Sequence, residues 1–108
     1  MSRPARSNDP NVLILTSLAA GAKHGHALAL DIEEFFGVRL GPGTLYGAIT
    51  RLEERGLIEA LPADDRRRPY RITSTGEAEL GQVLQEMGRI VAAASVRLGQ
   101  RSAPLGLA

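Results

Sequence analysis

The stretch from Gly41 to Tyr70, GPGTLYGAITRLEERGLIEALPADDRRRPY, constrains the fold more than any other part of the chain. It predicts a helix, a tight glycine stop, a strand, a charged turn and a second strand. Within the helix, Leu45, Ala48, Ile49 and Leu52 fall within about 100° of one another, so one side is built for burial. The opposite side carries Gly47, Thr50, Arg51 and Glu54, flanked by Thr44 and Tyr46. Pro42 and Gly43 open this helix, and Gly56 is placed to close it as a C-cap. The turn downstream presents Arg66, Arg67 and Arg68 in a row, just after Asp64 and Asp65. A half-buried helix offering hydroxyls, a phenol and a guanidinium, beside an arginine-tipped hairpin, has the form in which a winged helix holds duplex DNA.

The flanking segments extend that reading. Asp9-Pro10 is a cap followed by a first-turn proline, and Val12, Leu13, Ile14, Leu15 and Leu18 predict a largely buried helix ending near Gly21. His24-Gly25 opens a second helix, in which Leu28, Ile32, Phe35 and Phe36 are expected to face inward until Gly37. Leu57 to Leu61 and Tyr70 to Ile72 are expected to pair as a two-stranded wing around a turn punctuated by Pro62, Asp64 and Asp65. Ser74 and Glu77 fit a capping box, with Thr73 as a competing cap. Beyond it Leu80, Leu84, Met87, Val91, Ala94 and Leu98 recur every three or four residues, a seam widened by Val83 and Ile90. That stripe needs cover from its own domain or from a second subunit. The expected fold class is therefore mainly α with a small β-hairpin, a winged helix-turn-helix plus a C-terminal dimerisation helix. Its divisions are a disordered tail at 1–9, a winged helix-turn-helix at 10–73, the long helix at 74–99 and a flexible tail at 100–108.

Composition excludes more than it suggests. The 108-residue chain has no cysteine, which removes disulfide and thiolate-metal chemistry. No apolar run approaches the roughly 18 residues of a membrane span, and no secretory signal is visible, so a cytoplasmic location is expected. A net charge of +1 does not itself advertise nucleic acid; local clustering decides that. Of 13 basic residues only Lys23 is a lysine, which suits phosphate and guanine recognition but equally fits a GC-rich genome.

Three stretches resemble the PadR family of bacterial transcriptional regulators. Leu15 to Gly25 (LTSLAAGAKHG) is similar to the family's first helix and the His-Gly that begins its second. Gly41 to Ile58 (GPGTLYGAITRLEERGLI) resembles its recognition helix and glycine stop. Arg67 to Gly76 (RRPYRITSTG) resembles the second wing strand and the Thr-x-x-Gly approach to the last helix. The single short C-terminal helix is similar to that of the smaller subgroup, where it serves dimerisation. The resemblance implies a homodimeric transcriptional regulator, a repressor released by a small-molecule effector of unknown identity, acting on a palindromic DNA operator. Three positions depart from the family pattern: Gly41 stands where serine is usual, His26 where tyrosine follows His-Gly, and Gly47 where proline or a bulkier residue is commoner.

The residues expected to meet DNA are Gly43, Thr44, Tyr46, Gly47, Thr50, Arg51, Arg66, Arg67 and Arg68. Each has a plainer alternative. Tyr46 can contact phosphate or pack its ring under the wing; Thr44 and Arg51 can meet bases or phosphate, or simply face solvent. The arginine run alone would read as a solvated tip, and only its place beside the helix argues for DNA. Glu53 and Glu54 confine contact to the helix's first two turns. Residues Leu80, Leu84, Met87, Val91, Ala94 and Leu98 are expected to pair across a dimer, together with the apolar first helix. His24 and His26 are not spaced to share a metal, no cofactor is implied, and His24 is expected to pack or cap the second helix. No catalytic constellation is visible, and Gly41-Pro42-Gly43 lacks the Gly-Lys-Ser/Thr of a phosphate loop. The competing class is a winged-helix module that binds another protein and never touches DNA.

Overall fold

The first helix, α1 (Pro10–Ala19), runs through the middle of the structure, a computed structural model that describes residues 9–101. The Asp9 side chain accepts a hydrogen bond from Asn11 N at 2.9 Å, and Pro10 occupies the first turn, as the sequence predicts. Val12, Leu13, Ile14, Leu15 and Leu18 are all buried, because α2, α3, α4 and β3 pack around this one helix. A helix apolar on nearly every side is stable in water only in such a place.

The order that follows is β1 (Lys23–His24), α2 (Gly25–Phe36), α3 (Pro42–Glu54), β2 (Ile58–Ala60), β3 (Pro69–Ile72) and α4 (Ser74–Arg101). Leu28 and Ile32 of α2, and Leu45, Ala48, Ile49 and Leu52 of α3, complete the core with Leu57, Ile58 and Leu80. A Schellman closure ends α3: Leu57 N donates to Leu52 O at 2.9 Å and Gly56 N to Glu53 O at 3.0 Å. Gly41 caps the start of α3 without a side-chain bond, as its lack of a side chain requires.

Four expectations are corrected. The wing is not a lone hairpin but a three-stranded antiparallel sheet of order β1-β3-β2. Lys23 pairs with Tyr70 and His24 with Pro69, while Ile58, Glu59 and Ala60 pair with Ile72, Arg71 and Tyr70. This extra strand ties the wing to the start of α2. Second, Phe35 and Phe36 do not face inward; they are 73% and 43% exposed. Phe35 lies on the same helical stripe as Leu28 and Ile32 but one turn beyond, where α2 has overrun the core. Third, Thr73 rather than Ser74 caps α4: its Oγ1 accepts from Gly76 N at 3.0 Å, and its carbonyl accepts from Glu77 N. Gly76 is buried there, and a Cβ at that position would collide with the Leu57 carbonyl, so the Thr-x-x-Gly spacing is a packing requirement. Fourth, α4 continues through Arg101, past the expected end at Gly99. Of the tails expected at 1–9 and 100–108, residues 1–8 and 102–108 lie outside the described residues.

The 28 residues of α4 rise about 42 Å, and the molecule is correspondingly 58 Å long. Its stripe divides near Met87. Leu80 is buried in the domain's own core, and Val83 and Met87 pack partly against it. Leu84, Ile90, Val91 and Leu98 are all more than half exposed, and Ala94 is exposed as well.

Candidate nucleic-acid interface

The exposed side of α3 and the wing tip meet across the N-terminus of α2. The hairpin turn is built from Asp64 to Arg67, closed by Asp64 N to Arg67 O at 2.7 Å and Arg67 N to Asp64 O at 2.9 Å. Its two central residues, Asp65 and Arg66, both have positive φ, 53° and 69°. That is the arrangement of a type I′ turn, which suits hairpin twist and normally takes Asn-Gly or Asp-Gly. Arginine in the left-handed region is strained by roughly 1–2 kcal/mol. The turn thus holds a large cation where a glycine would be easier, and it points all three arginines to solvent.

Tyr46 is the hinge between helix and wing. Its ring lies against Gly25, where a Cβ would come within 2.8 Å of Tyr46 Cε1 and Cζ and closer still to its hydroxyl. Gly25 is therefore glycine because the phenol occupies its side-chain space. The two readings of Tyr46 are both present geometrically: one side packs, and the residue is still 48% exposed. Around it opens a cleft of about 250 Å³, lined by Tyr46, Tyr70, Arg66, Arg67 and Arg68 on the α3 and wing sides. His24, Gly25 and His26 line the side formed by α2. Tyr70 is held above its ordinary pKa, first by burial and then by the Glu53 carboxylate, with Arg68 opposing, so its phenol stays protonated at neutral pH.

The other expected contacts lie along α3 outside this cleft. Gly43 and Thr44 are exposed in the first turn, with Gly47 half-buried one turn on. Thr50 is exposed but donates its hydroxyl to Tyr46 O at 2.9 Å, leaving its oxygen lone pairs outward. Arg51 is exposed, forms no ion pair among the described residues, and holds Nη1 at 3.4 Å from where a Cβ on Gly47 would sit, an ordinary van der Waals contact. The neighbouring Arg55 is instead engaged with Glu79 at 2.6 Å, tying the end of α3 to α4. Cross-strand Arg71 pairs with Glu59. Among the described residues Arg51 and the wing-tip arginines form no ion pair; Lys23 forms none either, but its Nζ is turned to the Ser17 and Gly21 carbonyls.

Sequence reasoning did not place His24, His26, Gly25 and Tyr70 on this surface. His24 does cap α2, its Nδ1 accepting from Ala27 N at 3.4 Å. The signal that could have placed it is the His-Gly pair itself: a glycine in a first helical turn marks a close approach, here by Tyr46. Among the described residues no His, Asp or Glu group is placed to hold a metal ion. No helix among them is long and apolar enough to cross a membrane.

A helix-turn-helix with a three-stranded wing and a projecting final helix is the winged-helix architecture of transcription regulators. The model of the transcriptional regulator PadR-like family matches residues 14–82. The chain is 39% identical over 84 residues to the transcriptional regulator Rv3488 of Mycobacterium tuberculosis, covering 72% of this chain and 78% of that protein. It is 42% identical over 85 residues to an uncharacterized 37.1 kDa protein in transposon TN4556 of Streptomyces fradiae. That match covers 79% of this chain, which spans only 25% of the Streptomyces protein. Its structure is similar to that of a PadR family transcription regulator from Clostridium difficile R20291, with a TM-score of 0.74 at 26% identity. The superposition covers 83% of this chain and 98% of that one. The chain belongs to the PadR-like family of transcriptional regulators, a family of regulators and not of enzymes.

Proposed function

We propose that the protein is a homodimeric, sequence-specific DNA-binding regulator that represses a promoter and is released by an effector. The observation that carries this reading is that Tyr46 of α3 lines one cleft with the wing arginines, which form no ion pair among the described residues. In this reading Gly43, Thr44, Gly47, Thr50 and Arg51 enter the major groove from the outer face of α3, ahead of its last residues. Tyr46 and the arginines at 66–68 hold flanking phosphates, while Glu53 and Glu54 keep the last turn of α3 away from the backbone. Leu84, Val91, Ala94 and Leu98 supply the dimer seam, and Leu80 and Met87 anchor it to the core. Two copies then address half-sites roughly 34–36 Å apart on a palindromic operator. A signal that altered the angle between α4 and the core would spoil that spacing, which is the simplest route to release.

The test is binding to a duplex from the protein's own promoter at several salt concentrations, with the mass of the free protein measured in parallel. Affinity should fall linearly in log–log form as salt rises, and the free protein should sediment as a dimer. A protein-interaction module would show no salt-dependent duplex binding.

A further inference from the structure

His24 faces two donors, and one imidazole cannot satisfy both. Its Nδ1 accepts the Ala27 N–H as the cap of α2, and its Nε2 lies 3.3 Å from Arg67 Nη1. In the neutral ring only one nitrogen is bare. In the tautomer that keeps the cap, the proton sits on Nε2, and Nε2–H then confronts an arginine N–H. Two donors aimed together form the arrangement that an oxyanion completes. The surroundings agree: the Tyr46 and Tyr70 phenols, Arg66 and Arg68 line the same cleft. None of the three wing-tip arginines is in an ion pair among the described residues. The opposing charges are Asp64 and Asp65 in the turn and Glu53 beside Tyr70. The turn holds Asp64 in the backbone pairing with Arg67, and its carboxylate forms no ion pair among the described residues.

We propose that the cleft between the start of α2 and the wing is a binding site for a single phosphate oxyanion, held by His24 Nε2–H and Arg67 together. His24 then has two jobs, capping α2 with one nitrogen and binding phosphate with the other. Gly25 serves the same site, since it lets the Tyr46 phenol lie at the cleft's edge. The source of the phosphate is the backbone of duplex DNA; that part rests on the regulator reading above, whereas the oxyanion chemistry does not.

His24→Asn separates the two jobs, because asparagine is a good N-cap yet has no group in place of Nε2–H. Three readouts decide. Imidazole nitrogen NMR of the wild-type protein at pH 8 should show the Nε2–H tautomer for His24; the Nδ1–H tautomer would overturn the proposal. Sodium phosphate, against sodium chloride at equal ionic strength, should shift the His24 Nε2 signal saturably. His24→Asn should melt like the wild type while losing at least about tenfold in affinity for a promoter duplex. That loss supports the site even where free phosphate binds too weakly to saturate. A shift with phosphate and no loss on duplex keeps an anion site but overturns DNA as its source. No phosphate shift and unchanged duplex affinity overturns the proposal and leaves DNA binding by other residues intact. If the wild type binds no duplex at all, the regulator reading fails, and the phosphate titration alone decides the site.

Discussion

The first helix and the far half of the last one are both apolar, yet one is wrapped and the other bare. In α1 the residues Leu13, Ile14 and Leu18 are nearly inaccessible because four elements enclose them. In α4 the same kind of side chain, at Val91 and Leu98, is 63% and 60% exposed. Both lie on the stripe that begins with Leu80 in the core, so the pattern continues where the domain stops. Folding of the single domain accounts for the apolar surface of α1 and for only the near half of the stripe on α4. A second copy is the proposed cover for what remains of α4.

The largest effect is expected in α1. Ile14→Ala removes a side chain with no exposed surface and should cost about 2–5 kcal/mol, read as a lowered urea midpoint. Val91→Asp with Leu98→Asp should leave the domain folded and its far-UV circular dichroism unchanged at high concentration. It should halve the sedimenting mass and weaken operator binding by an order of magnitude or more. Should the double variant remain a dimer, the bare stripe is not the seam.

Smaller effects sharpen the picture at the wing, where charge rather than apolar surface is left uncovered. Arg66→Gly replaces a strained residue with the one its turn prefers and should stabilise the fold by about 1 kcal/mol. The same change should make the salt dependence of DNA binding shallower, by about 0.9 for each phosphate that Arg66 neutralises. Stability and binding moving in opposite directions would mark strain kept for function. Gly25→Ala crowds only the outer end of the Tyr46 ring, so melting should change by no more than about 1 kcal/mol while duplex affinity falls several-fold. Least of all, Gly88→Ala meets open space in a helix interior and should gain about 0.5–1 kcal/mol, read by thermal melting.

Three helices were legible from an apolar pattern or a boundary: Asp9-Pro10 at the start of α1, Pro42 and Gly56 at the two ends of α3, and the three-and-four spacing along α4. The family resemblance rested on Leu15–Gly25, Gly41–Ile58 and Arg67–Gly76, of which only the second contains one of those pairs of boundaries. Other features left no local trace. Lys23-His24 is too short and too polar to look like a strand, and only its pairing with Pro69 and Tyr70 makes it one. The turn carries Asp65-Arg66 where Asn-Gly would have announced type I′ geometry. Phe35 fitted the inward stripe, and its exposure depends on where the core ends, which periodicity does not encode. The cleft was partly readable: Tyr46 and the arginines at 66–68 stood out, whereas His24 and Tyr70 join them only through the third strand and the packing of Tyr46 on Gly25.

The wing arginines, which form no ion pair among the described residues, and the exposed face of α3 are proposed as one DNA-contacting surface. The direct measurement compares duplex affinity across a salt series for the wild type and for Arg66, Arg67 and Arg68 all changed to alanine. The triple variant should be a folded dimer with weaker binding at every salt concentration, its log–log slope shallower by about 0.9 for each phosphate those arginines neutralise. An unchanged slope and affinity in a folded variant would contradict the proposal.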